Sequence, residues 1–304
     1  MITVHTLDLD FMGVSKSIAS YLVVAPEGPF LIESGPASTV DNLVERLAEH
    51  DVAPDDIRDV FVTHIHLDHA GAAGWWAERG ATVYVHPRGA AHLIDPSKLL
   101  ASAARIYGDR MDMLWGETRP APESNVRSVE DGEVVKARGI EVRAIDTPGH
   151  ARHHHVWRVE DIAFTGDAAG IHVPGCPLVD LPAPPPEFDL EAWNVSIDRL
   201  LAENFARLYP THFGPLDQPA VQLEKLRSLM NAATDLLEGF VREGLDRDAI
   251  VPRYLEWNRE RALSEGLDEE MIRRYETANP PTMSVDGVLR YLSRRADRRE
   301  TARS

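Results

Sequence analysis

The chain has 304 residues, of which 43% are apolar and 27% charged, proportions that are ordinary for a soluble globular protein. This length suits one large domain or two small ones, and it allows a sizeable hydrophobic core. Forty-nine acidic residues against 32 Lys and Arg give a formal charge of −17, which repels a phosphate backbone and argues against nucleic acid as the main partner.

The single cysteine and the first ten residues indicate in which cellular compartment the protein is expected. Cys176 has no second cysteine with which to form an intramolecular disulfide, as expected in a reducing cytoplasm. The first ten residues contain no basic segment leading into an apolar run, so they do not resemble a secretory signal. No apolar run approaches the length of a membrane span. We therefore expect a cytoplasmic protein with a small-molecule substrate and no membrane partner.

The first predicted elements alternate short strands with an amphipathic helix. Residues 2–9 alternate as a strand, and residues 18–32 predict a hairpin. Apolar side chains recur at helical spacing between Ser38 and His50, which predicts a helix that covers one face of the sheet. The apolar run from Asp59 to Thr63 then predicts a buried strand. This pattern is typical of an α/β layer.

Four side chains of metal-binding type follow that strand within six residues: His64, His66, Asp68 and His69. Polar side chains at the carboxyl end of a strand project into the crevice where ligands usually bind. His64 and His66 lie two apart in extended backbone and so point to the same side, while the other two lie where the chain turns. A single His pair is more often solvated or in the core, but this density suits two neighbouring cations.

Three later segments repeat the pattern of a strand followed by a metal-binding side chain. They end in His150 after a Pro-Gly turn, in Asp167 after a glycine, and in His212 between turn formers. Because four strand ends deliver imidazole or carboxylate groups, a metal centre is favoured over solvated histidines. These ligand types suit zinc, iron or manganese.

The order and spacing of these residues resemble the metallo-β-lactamase-fold superfamily, whose H-x-H-x-D-H signature stands at residues 64–69. The resemblance covers roughly residues 1–216 and is closest to the glyoxalase II and lactonase-like branch. It implies a four-layer αββα sandwich and two divalent metal ions, with Zn²⁺ expected first and Fe or Mn as alternatives. The implied ligands are His64, His66 and His150 for the first ion, Asp68, His69 and His212 for the second, and Asp167 between them.

The sequence departs from the family pattern at two places. Glu33 stands where many members have the Asp of Asp-Thr-Gly, and we expect it to brace the ligand turn by hydrogen bonds. Lactonases of the superfamily have a Tyr three residues after the bridging Asp, where this chain has Gly170. His172 is either a substitute proton donor or a solvated loop histidine. His154 matches the family histidine that orients a metal ligand.

Two regions lie outside the motif pattern. Residues 87–125 predict a helical insertion, which is either a satellite core or a lid that brings Tyr107 and Trp115 to the substrate. Prolines predict an irregular loop over residues 168–186. We expect residues 1–216 to form the metallo-β-lactamase-fold domain. The predicted helices of residues 217–304, over 221–241, 247–263, 267–277 and from 284 onward, form an extension packed on that domain.

The leading hypothesis is a metallo-hydrolase with a dinuclear centre, in which a metal-bound hydroxide attacks the carbonyl of a small ester, lactone, thioester or amide. Asp68 is the candidate catalytic residue, because either its carboxylate or a metal-bound water handles the proton. The alternatives are a mononuclear iron enzyme resembling the sulfur dioxygenases and a non-catalytic metal-binding sensor module. The complete ligand set favours the hydrolase. A homodimer is an expectation that rests on the resemblance alone.

Overall fold

Six strands form the first sheet of the computed structural model, which describes residues 2–301. They are neighbours in chain order: β1 (Thr3–Asp8), β2 (Ala19–Ala25), β3 (Gly28–Ile32), β4 (Asp59–Phe61), β5 (Thr82–Val85) and β6 (Val126–Ser128). The first three strands pair antiparallel, and β3 to β6 pair in parallel. Parallel neighbours need crossovers, which α1 (Val40–Ala48) supplies before β4, and α2 (Leu67–Ala70) and α3 (Ala73–Glu78) supply before β5.

The second sheet has five strands in the spatial order β13-β10-β9-β8-β7. Their bounds are β7 (Val134–Ala137), β8 (Ile140–Asp146), β9 (His155–Val159), β10 (Ile162–Gly166) and β13 (Arg207–Pro210). The pairs from β7 to β10 are antiparallel, and β13 runs parallel to β10 after the crossover helix α7 (Leu190–Ala202). Consequently β8, β10 and β13 all point the same way, and their carboxyl ends meet at one edge.

The proline-rich loop contains regular structure that the sequence did not predict. Ile171–His172 (β11) pairs antiparallel with Val179–Asp180 (β12). The prediction of a wholly irregular loop was therefore wrong for these four residues. Prolines remove backbone donors only where they stand, and Pro174, Pro177 and Pro182 all lie outside the paired residues.

Buried side chains separate four layers. Between the sheets, Phe61 stacks on Tyr84 with ring centroids 4.3 Å apart and meets Trp157 edge-on at 5.1 Å. On the outer face of the first sheet, Leu43 of α1 and Trp76 of α3 join a second buried cluster. The outer face of the second sheet packs against α7 and the C-terminal helices. The order helix, sheet, sheet, helix confirms the expected αββα fold.

The insertion and the C-terminal extension consist of helices close to the predicted ranges. The insertion holds α4 (Pro87–Ile94), α5 (Ser97–Tyr107) and α6 (Met111–Trp115), and the extension holds α8 (Pro219–Arg242), α9 (Arg247–Ser264), α10 (Glu269–Ala278) and α11 (Pro281–Thr301). α8 packs against α7 and α11. Met1 and the last three residues of the predicted extension, 302–304, lie outside the described residues. Within residues 2–301, none of the helices combines the length and apolar character that a membrane crossing needs.

Candidate metal centre

The structure brings all seven predicted ligand residues together at one edge of the sandwich. The turn after β4 carries four of them, and the segments after β8, β10 and β13 carry the others. His66 has extended backbone, with φ −61° and ψ 152°, immediately before α2 begins at Leu67. This change from extended to helical backbone directs the first two histidines and the following Asp-His pair to neighbouring points.

Three imidazoles form the first donor group. His64 Nε2 lies 2.9 Å from His66 Nδ1, and His150 Nε2 lies 3.2 Å and 2.9 Å from those two atoms. Nitrogens that bind one tetrahedral zinc ion at about 2.0–2.1 Å are roughly 3.3 Å apart. The triangle of nitrogens therefore has nearly the size that a single ion requires.

A carboxylate and two imidazoles form the second donor group. Asp68 Oδ2 lies 3.5 Å from His69 Nε2 and 3.4 Å from His212 Nε2. Asp167 faces both groups, because its Oδ1 is 3.4 Å from His69 Nε2 and its Oδ2 is 3.2 Å from His150 Nε2. One carboxylate thus presents one oxygen to each group.

Hydrogen bonds at the far side of the rings fix which nitrogen faces the centre. The Nδ1–H groups of His69, His150 and His212 donate to Glu33 Oε1 at 3.0 Å, to the Pro182 carbonyl at 2.8 Å and to the Ser17 carbonyl at 2.7 Å. Each Nε2 therefore keeps a lone pair for a cation. His69 Nε2 and Asp167 Oδ1 are buried and have no hydrogen-bond partner among the described residues. Donor chemistry and orphaned atoms both fit a pair of divalent cations.

Glu33 braces the ligand turn, which confirms the sequence prediction. Its side chain is fully buried and accepts hydrogen bonds from the Thr63 backbone N–H at 3.1 Å, the Thr63 hydroxyl at 2.6 Å and the Thr211 hydroxyl at 3.0 Å, besides His69. One carboxylate therefore joins the segments that carry His64, His69 and His212. Its backbone has φ +66°, an uncommon conformation for a non-glycine residue that the surrounding contacts hold in place.

His154 positions Asp167 by accepting a hydrogen bond from the Asp167 backbone. Its Nδ1 lies 2.8 Å from the Thr147 hydroxyl, and its Nε2 accepts the Asp167 N–H at 3.3 Å. Gly166 makes this approach possible, since a Cβ there would lie 2.4 Å from Thr63 Oγ1 and 2.8 Å from His154 Nε2, and its φ is +50°. Gly166 was not among the residues predicted to be functional, although its place directly before Asp167 was a usable signal.

The two donor groups differ in their electrostatics. Burial lowers the pKa of His64 well below its usual value and, together with His150, lowers that of His66 to about 3. Burial also acts to lower the pKa of His69 and His212, but Asp68 and Asp167 outweigh it and raise both. The second group therefore attracts positive charge more strongly than the first.

A cavity of about 490 Å³ opens over the donor groups. His66, Asp68 and Asp167 lie in its wall, together with mainly apolar residues of the first loop, the insertion, the proline-rich loop and the C-terminal helices: Met12, Ile106, Tyr107, Trp115, Pro184 and Met283. Tyr107 and Trp115 also pack edge-on against each other at 5.1 Å, and Trp115 stacks on Phe11 at 5.6 Å. The insertion is therefore both a packed cluster and a cavity wall.

Two residues of the cavity wall were not predicted from the sequence, and the role of His172 was left undecided between a proton donor and a solvated residue. Lys98 and Arg110 of the insertion line the cavity, although nothing in their local sequence indicated it. The backbone of His172 bonds to His212 and Phe213, and within the described part of the chain its side chain is not among the cavity-lining residues. These contacts argue against His172 as the proton donor.

A family model of the metallo-beta-lactamase superfamily matches residues 16–212, which include every donor residue above. The chain belongs to this superfamily.

The superfamily protein ST1585 of Sulfurisphaera tokodaii is 30% identical over 181 residues, 58% of this chain and 68% of that protein. The lactamase-like protein AptB of Emericella nidulans is 28% identical over 202 residues, and the atrochrysone carboxyl ACP thioesterase DmxR1 of a Cryptosporiopsis species is 29% identical over 110 residues. The matches cover 65% and 36% of this chain but only 52% and 30% of those fungal relatives.

Solved structures of the superfamily share the fold. The metallo-beta-lactamase family protein TTHA1429 of Thermus thermophilus superposes with a TM-score of 0.66 at 20% identity, over 97% of this chain and 94% of that chain. For the ST1585 structure the TM-score is 0.62 at 24% identity, over 75% and 86% of the two chains. The match to TTHA1429 extends the shared fold beyond the motif region into the C-terminal helices. The branch within the superfamily stays a prediction.

Proposed function

We propose that this protein is a metal-dependent hydrolase with a dinuclear centre, acting on a small ester, lactone, thioester or amide. The observation that carries the proposal is the position of Asp167, with one carboxylate oxygen toward each donor group. In this proposal both ions are Zn²⁺, with Fe or Mn as the alternatives. The first ion is held by His64, His66 and His150, and the second by Asp68, His69 and His212. Asp167 contacts both ions.

Two divalent ions in these positions would lower the pKa of a bound water to about 7 and would polarise a scissile carbonyl. The chain's own groups then handle the proton. Burial acts to raise the pKa of Asp68, but His69 and His212 outweigh it and hold that pKa well below its usual range. The ionised Asp68 carboxylate faces the cavity, so it accepts a proton from the attacking water and returns it to the leaving group.

Cationic charge at the donor groups would stabilise the reacting carbonyl. Two divalent ions would carry four positive charges, which the carboxylates of Asp68, Asp167 and Glu33 and the attacking hydroxide would balance. The ion nearest the carbonyl oxygen would face the negative charge that develops there during attack. Preorganised charge of this kind is a large contribution to catalysis because it requires no rearrangement during the reaction.

The cavity supports a substrate with an apolar acyl group and an anionic arm. Its wall is mainly apolar, and Lys98 and Arg110 stand on it without a hydrogen-bond or ion-pair partner among residues 2–298. Two unpaired cations in a chain of formal charge −17 favour a negatively charged ligand group. A thioester on a charged carrier has this chemistry, and a thioesterase is among the relatives by name.

Metal analysis combined with a substrate panel tests the proposal. The protein loaded with Zn²⁺, Fe²⁺ or Mn²⁺ is expected to retain two ions per chain and to hydrolyse some esters, lactones, thioesters or amides. Retention of fewer than one ion per chain contradicts the proposal. One iron per chain with oxygen uptake on a glutathione persulfide supports the dioxygenase alternative, and two ions without turnover on a broad panel support the sensor. Cytoplasmic location, a small-molecule partner and a homodimer remain predictions.

A further inference from the structure

A second cluster of metal-binding side chains lies between the sheets, outside the cavity. It consists of His86 after β5, Asp146 at the end of β8 and His155 at the start of β9. One donor atom from each residue lies within 4.8 Å of the others. Because β5 belongs to the first sheet and β8 and β9 to the second, the cluster joins the two halves of the sandwich.

Two of the atoms that could bind a metal ion are buried and have no hydrogen-bond partner among the described residues. His155 is fully buried and its Nε2–H donates to the Val129 carbonyl at 2.9 Å, so its Nδ1 carries a lone pair. That Nδ1 and Asp146 Oδ1 have no hydrogen-bond partner among the described residues. The nearby cation, Arg199, pairs with Asp131 and donates to the Asp146 carbonyl rather than to its carboxylate. His86 Nε2 lies 3.3 Å from Asp146 Oδ1 without the geometry of a hydrogen bond, so an electropositive group between Asp146 Oδ1 and His155 Nδ1 would satisfy both acceptors.

The third residue, His86, can bind a cation through Nε2 only after its proton moves to Nδ1. His86 Nε2 lies 3.3 Å from Asp146 Oδ1, while its Nδ1 accepts the Arg88 N–H at 3.0 Å and thereby caps α4. In this tautomer Nε2 carries the proton. Binding of a cation through Nε2 moves that proton to Nδ1 and releases the cap, so His86 is the costliest of the three ligands.

We propose that His86, Asp146 and His155 bind a divalent transition-metal ion of the zinc type, separate from the dinuclear centre. Two imidazoles and one carboxylate suit zinc, with water in the remaining position. The Asp146 side chain is 34% exposed, which gives the ion a path from solvent. The bound ion ties the sheets together close to the ligand turn, since the His155 N–H donates to the Thr63 carbonyl at 2.7 Å.

Zinc titration of full-length variants tests this site without an activity assay. Asp146→Asn removes the charged ligand. His86→Asn removes Nε2 yet keeps a side-chain acceptor for the Arg88 N–H, so the helix cap survives. Asp131→Asn is the matched control, because Asp131 is a neighbouring carboxylate that bonds to the Asp146 N–H but is not part of the cluster. Bound zinc is counted after desalting, and the melting temperature is measured with and without zinc.

The wild type and Asp131→Asn are expected to bind one zinc ion more than Asp146→Asn and His86→Asn, with affinity for that ion at least about 10-fold weaker in the two variants. A double variant, His66→Ala with Asp167→Ala, is expected to bind one zinc ion more than the same variant carrying His86→Asn, and to show a larger zinc-dependent rise in melting temperature. This difference does not depend on the dinuclear centre, so failure of the dinuclear proposal and failure of the new site are distinguishable. Equal zinc content in wild type and Asp146→Asn overturns the site. If Asp146→Asn does not fold, cobalt titration of the double variant with and without His86→Asn decides, because equal d–d absorption in the two proteins overturns the site.

Discussion

The two donor groups of the candidate centre share an edge of the sandwich but differ in charge. The first consists of three imidazoles and lies against neutral oxygens such as the Pro182 carbonyl. The second contains Asp68, and its His69 is held from behind by the Glu33 carboxylate. A cation in the first group therefore depends on Asp167 for charge compensation, whereas one in the second has three carboxylates nearby. In the proposed dinuclear centre the two metal sites are therefore not equivalent, and Asp167 couples them.

Replacement of the shared carboxylate has the largest expected effect. Asp167→Ala removes an oxygen from both groups, so we expect loss of at least one ion per chain and a fall in kcat/KM of about 10³-fold or more. Metal analysis and hydrolysis kinetics measure both. Asp180→Asn is the control, because Asp180 is 4% exposed against 3% for Asp167 but pairs with Arg261. If Asp167→Ala retains both ions, the coupling of the two groups is wrong.

Acidification is expected to empty the second group before the first. Histidine binds metals as neutral imidazole, and a raised pKa means that protons compete from a higher pH downward. The pKa values of His69 and His212 are raised by neighbouring carboxylates against burial, while that of His66 is lowered to about 3. Between pH 7 and pH 5 the affinity of the second ion is expected to fall by one decade per pH unit for each proton displaced, which is about 100-fold for one histidine and about 10⁴-fold for both.

Chelator competition at the two pH values measures this difference. The first ion is expected to keep more of its affinity over the same range, since burial lowers the pKa values of His64, His66 and His150, that of His66 to about 3. Equal loss of both ions contradicts the electrostatic distinction between the groups.

Neutralisation of Glu33 is expected to weaken the second group selectively. Glu33→Gln keeps the volume but removes the charge that faces His69 Nδ1 and places an amide donor among other donors. We expect the affinity of the second ion to fall about 10- to 100-fold and that of the first to change little. Isothermal titration with zinc distinguishes the two ions. Thr211→Val, which deletes one neutral hydrogen bond to the same carboxylate, is expected to have a smaller effect.

The smallest effect is expected from substitutions in the wall of the cavity that opens over both donor groups. Lys98→Ala and Arg110→Ala are each expected to raise KM about 2- to 5-fold for a thioester with an anionic arm, because exposed charge pairs contribute little. kcat and the hydrolysis of a neutral ester stay unchanged. Lys136→Ala, on the exposed face of β7, is the control. An equal change in KM for neutral and anionic substrates contradicts a role in charge recognition.

The sequence alone identified the candidate ligands, because their chemistry and spacing follow from local rules. Strand runs that end in His or Asp place those side chains at strand ends, and the bracing role expected of Glu33 and the orienting role expected of His154 agree with their hydrogen bonds. Helix ranges were predicted to within a few residues for the same reason, since apolar periodicity is local. The short pairing of β11 with β12 was missed because it depends on which backbone groups meet, not on composition.

Only the tertiary structure decided what surrounds those ligands. Lys98, Trp115 and Met283 line one cavity although they come from distant segments, and His86 meets Asp146 and His155 because strands of two sheets end side by side. No periodicity or motif in the sequence predicts either set of contacts, because contacts between distant segments follow from the packing of whole layers. The candidate ligands could therefore be read from the chain itself, whereas the shape and charge of the cavity required the fold.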